Sequence, residues 1–139
     1  MSWDIQVFDM PSHVRSISDI PAGFQAIPLG TRDEVIVRIK QVFPNAVFSS
    51  PSRGTCMFPG FEIEFSMGSK EICDGFGLCV HGGGNAVAAI SNLLQHLQLR
   101  AIDCQTSEFF SPEAAEASFK EWQAFRDRGL REILKNVGK

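Results

Sequence analysis

Phe61-Glu62-Ile63-Glu64-Phe65 alternates strictly between apolar and acidic residues, and Pro59-Gly60 ahead of it reads as a tight turn. A period of two puts Phe61, Ile63 and Phe65 on one face of a strand and Glu62, Glu64 and Ser66 on the other. A strand buried on one side only implies a sheet with a single covering layer, since sheets covered on both faces have near-continuous apolar strands. Upstream, Ala46-Val47-Phe48 begins a β region, Pro51–Gly54 interrupts it and Thr55–Phe58 resumes it. Downstream, a loop over Gly68–Gly75 leads to a strand at Phe76–His81. The links are short, which predicts an antiparallel meander.

Helices flank this block. Thr31, with Glu34 three residues on, forms a capping box. Val35, Ile36, Ile39, Val42 and Phe43 then make one apolar stripe, and Pro44-Asn45 ends the helix. A second helix is expected over Ala86–Leu97, capped by Asn85, with Val87, Ile90, Leu93, Leu94 and Leu97 inward. A third starts at Ser111-Pro112, with Phe119, Trp122 and Phe125 on its inner side and Gly129 as a weak point. At the margins, Trp3–Phe8 reads as a first strand with Trp3, Ile5 and Val7 on one face. Leu99–Gln105 reads as the last strand, with Ile102 and Cys104 on its apolar face. Residues 10–30 are irregular. The order β-α-β-β-β-α-β-α predicts one α+β domain over residues 1–139, a two-layer sandwich of a mainly antiparallel sheet with helices on one face.

At 139 residues, 44% apolar and 21% charged, the chain fits a single globular domain; disordered, collagen-like and coiled-coil classes are excluded. No apolar run approaches the roughly 20 residues of a membrane helix, and the start Met1-Ser2-Trp3-Asp4-Ile5 has no signal-peptide character. A cytoplasmic location is expected, with no membrane partner. The four cysteines form no C-x-x-C pair, so no metal or cofactor is expected, and free thiols fit a reducing compartment. Residues 1–119 carry seven Lys and Arg against thirteen Asp and Glu, net −6; residues 120–139 carry six against three, net +3. An acidic body disfavours nucleic acid and favours a basic protein partner.

The face of the sheet away from the helices concentrates the polar residues. Alternation assigns to it Asp4, Gln6 and Phe8, Glu62 and Glu64, Gly77, Cys79 and His81, and Asp103 and Gln105. Gly77 among longer side chains makes this face locally concave. With Glu108 and Phe109 at its end, the surface formed by Asp4, Gln6, Glu62, Glu64, His81, Asp103, Gln105, Glu108 and Phe109 is the expected docking site of a non-enzymatic binding module. The alternative is a small hydrolase or ligand-binding domain: Cys79 and His81, two apart on one strand, form a nucleophile and base that Asp103 orients. The carboxylates around Cys79 raise its pKa and oppose that reading.

His81-Gly82-Gly83-Gly84 is similar to the HGGG oxyanion loop of α/β-hydrolases, yet no G-x-S-x-G elbow accompanies it. It matches no phosphate-binding glycine signature either, and reads as a strand-to-helix turn that needs positive φ. Twelve Phe, two Trp and no Tyr complete the picture. Phe43, Phe61, Phe65, Phe76 and Phe119 belong to the core, leaving carboxylates, His81 and the glycine turn to carry chemistry.

The opening Met-Ser-Trp-Asp-Ile, the Gly60–Glu64 strand, the His81–Asn85 turn into a helix and Leu99–Phe110 together resemble a family of small uncharacterised bacterial proteins. The resemblance spans roughly residues 1–125 and implies no catalytic residues. As a class, small acidic α+β proteins are similar to immunity proteins encoded beside bacterial toxins. That similarity implies a basic toxin as the partner.

Overall fold

The computed structural model describes residues 1–137. Seven strands form one antiparallel sheet: β1 (Trp3–Phe8), β3 (Val47–Ser50), β4 (Arg53–Phe58), β5 (Phe61–Ser66), β7 (Phe76–Gly82), β8 (Arg100–Asp103) and β9 (Glu108–Phe109). Their spatial order is β3-β4-β5-β7-β1-β8-β9. β2 (Gly30–Thr31) and β6 (Ile72–Cys73) pair separately as a two-stranded ribbon. Three helices, α1 (Arg32–Val42), α2 (Ala86–Leu97) and α3 (Pro112–Val137), complete an α+β sandwich.

The meander is present as β3-β4-β5-β7, and β1 closes against β7 so that the chain's first strand lies inside the sheet. The alternation of Phe61–Phe65 is realised directly: Ile63 is fully buried and pairs with Val80 and Cys56, while Glu62 and Glu64 remain partly exposed on the other side. Trp3, Ile5 and Val7 of β1 pair with Val80, Leu78 and Phe76 of β7, extending the same apolar face. α1 and α2 bury Val35, Ile39, Ile90 and Leu93 against it. The aromatic residues knit the layers together. Trp3 stacks on Phe119 of α3 at 4.7 Å between ring centroids, and its indole N–H donates to Ser118 Oγ at 3.3 Å.

Local signals set the helix starts. Glu34 N–H donates to Thr31 Oγ1 at 3.2 Å, and that hydroxyl donates to Glu34 Oε1 at 3.0 Å. Asn85 precedes α2 as expected, but its side chain accepts no capping bond. Several expectations are corrected. The 46–58 region is a two-stranded hairpin rather than one interrupted strand, and the two-residue strands β2, β6 and β9 are additional. α3, started at Pro112 as expected, runs on through the weak point at Gly129 to Val137. Phe125 is 58% exposed, because its helical position turns it away from the stripe of Ala115, Ser118, Phe119 and Trp122, the residues of α3 that are buried among those through Lys135.

A further correction concerns β8. Ile5 pairs with Asp103, and Val7 with Ala101, so Ala101 and Asp103 share the covered face and Ile102 takes the open one. This is the reverse of the expected alternation. Arg100-Ala101-Ile102-Asp103 offers one strong apolar residue, too little to hold a register, and the ladder to β1 places small Ala101 inside, 1% exposed beside Val7.

Candidate functional site

The open face can be read as rows across the ladder. One row runs Thr55, Glu64, Cys79, Asp4 over β4, β5, β7 and β1; the next runs Met57, Glu62, His81. Asp4, Glu62 and Glu64 thus lie on strands on either side of β7, with Cys79 between two of them. His81 bridges to its neighbours on this face: its Nε2 lies 3.3 Å from Glu64 Oε1, and its Nδ1 is 3.2 Å from the Met1 carbonyl. Phe8 and Phe109 close the far end, their centroids 6.4 Å apart, with the Arg100 guanidinium 4.0 Å above Phe109.

Between these features lies a concavity of about 520 Å³ lined by Asp4, Gln6, Ser66, Gly77, Cys79 and Cys104, among others. It exists because Gly77 has no side chain where its row neighbours do; a Cβ there would come within 3.2 Å of Gln6 Oε1. The expected hollow at Gly77 is therefore present.

Of the docking residues expected from sequence, Asp4, Gln6, Glu62, Glu64, His81 and Phe109 share the open face. Asp103, Gln105 and Glu108 do not. Asp103 is 3% exposed on the helix side and accepts from Gln105 N–H at 2.9 Å. Glu108 pairs with Asp103 and takes the same side. Gln105 Nε2 donates to the Ser118 carbonyl at 2.8 Å, tying the chain after β8 to α3.

The Cys79–His81–Asp103 constellation is corrected on the same grounds. Asp103 lies on the opposite face of the sheet from Cys79 and His81, so it cannot orient the imidazole. Cys79 is also a poor nucleophile: burial first, then the Asp4 carboxylate, with Glu64 adding to it, push its thiol up to about 11. The four cysteines are free; Cys56 and Cys73 are buried, while Cys104 is exposed. Among the described residues, no group of three or more His, Cys, Asp or Glu is placed to hold a metal ion.

The glycine turn is structural. Gly82 has φ +109° and Gly84 φ +69°, and Gly83 N–H donates to the Gly60 carbonyl at 2.8 Å. Arg126 of α3 donates to the Gly82 carbonyl at 2.7 Å. An oxyanion would find the Gly83 donor already used. Sequence reasoning missed Ile102, Thr55 and Met57 as open-face residues. For Thr55 and Met57 the signal was present: they follow the same alternation as Glu62 and Glu64, one strand away.

Among the described residues, no helix is long and apolar enough to cross a membrane. Comparison with family models, curated proteins and solved structures finds no match.

Proposed function

We propose that this chain is a non-enzymatic protein-binding module that presents its open sheet face to a basic protein surface, as an immunity-type protein covers a basic toxin. The supporting observation is the bare face itself. One side of the sheet is packed under helices, while the other carries Asp4, Glu62 and Glu64 on strands flanking β7, with His81 beside Glu64. Such a surface speeds association with a cationic partner and rejects nucleic acid. Partner chemistry follows from the same residues: arginine or lysine side chains paired to Glu62, Glu64 and Asp4, with an apolar contact at Phe8 and Phe109. Free thiols agree with a reducing, cytoplasmic setting in a bacterial cell.

The test is co-expression with the protein encoded by the adjacent gene. Wild-type chain is expected to relieve that protein's toxicity, and Glu62→Lys with Glu64→Lys to lose both protection and calorimetric binding at an unchanged melting temperature. Full protection by the doubly reversed chain, or a harmless biosynthetic neighbour, overturns the reading.

A further inference from the structure

We draw no further inference here: the strongest candidate, the concavity at Gly77 on the open sheet face lined by Asp4, Gln6, Ser66, Cys79 and Cys104 among others, belongs to the docking surface already described, and nothing in the structure beyond its acidic side chains points to a ligand.

Discussion

Asp103 stands opposite Ile5 across the β1–β8 ladder, and that one pairing puts its carboxylate beneath the helices rather than on the open face. There it accepts the Gln105 N–H at 2.9 Å and shapes the turn that returns the chain through Ser107 to β9. Its role is to fold the β8–β9 connection. Asp103→Ala is expected to destabilise the protein by about 1.5–3 kcal/mol, the range for a buried hydrogen bond to a charged acceptor. Asp103→Asn, which keeps an acceptor, is expected to lose less. Urea denaturation measures both, and partner binding is expected to be unchanged in each; a binding defect at full stability would return Asp103 to the functional surface.

Cys79 sets a pH dependence with a definite sign. Its thiol is pushed from 9.0 up to about 11 by burial and by Asp4, so the folded state holds the proton more tightly than the unfolded chain. That contribution is complete below the unfolded thiol's pKa and is lost as pH rises toward about 11. Cys56, Cys73 and Cys104, also raised by burial, add to the same slope. Stability is expected to fall over this alkaline range, and Cys79→Ser to make the fall shallower. Asp4→Asn removes a raising charge, so iodoacetamide is expected to label Cys79 faster at a given pH. Unchanged labelling would show that Asp4 does not act on the thiol.

Gly82 ends β7 with φ +109°, and a Cβ there would lie 2.5 Å from the Gly60 carbonyl oxygen and 2.9 Å from Phe61 Cα. Both obstacles are backbone and neither can swing away. Gly82→Ala is expected to cost at least about 2 kcal/mol from strain and overlap together. Chemical denaturation of the variant tests this. A loss under about 0.5 kcal/mol, the level of an ordinary surface change, would contradict the geometry.

With no Tyr in the chain, intrinsic fluorescence comes from Trp3 and Trp122, which are 1% and 5% exposed. Native emission is expected to be blue-shifted and to move red on unfolding. Trp122→Phe isolates Trp3, whose stack on Phe119 couples the sheet to α3. Trp3→Ala is expected to cost about 3–5 kcal/mol. Red-shifted emission from the native Trp122→Phe chain would mean that the first strand is not in the sheet.

The amino-acid sequence by itself determined the class of the fold and the strongest faces. Phe61–Phe65 and Trp3–Val7 each place three apolar residues at period two, enough to commit a strand to one orientation, and the Thr31–Glu34 box and the stripe of Ala86–Leu97 determine two helices locally. The Asp4, Glu62, Glu64 and His81 surface was legible for the same reason. Tertiary structure alone decided the orientation of β8, where one isoleucine could not outweigh the ladder to β1 that pairs Ala101 with buried Val7 and Asp103 with buried Ile5. It also decided how much of α3 is core. The helical stripe continues past Trp122 without change in the sequence, yet Phe119 and Trp122 are buried against the sheet layer while Leu130, Ile133 and Leu134 stay exposed.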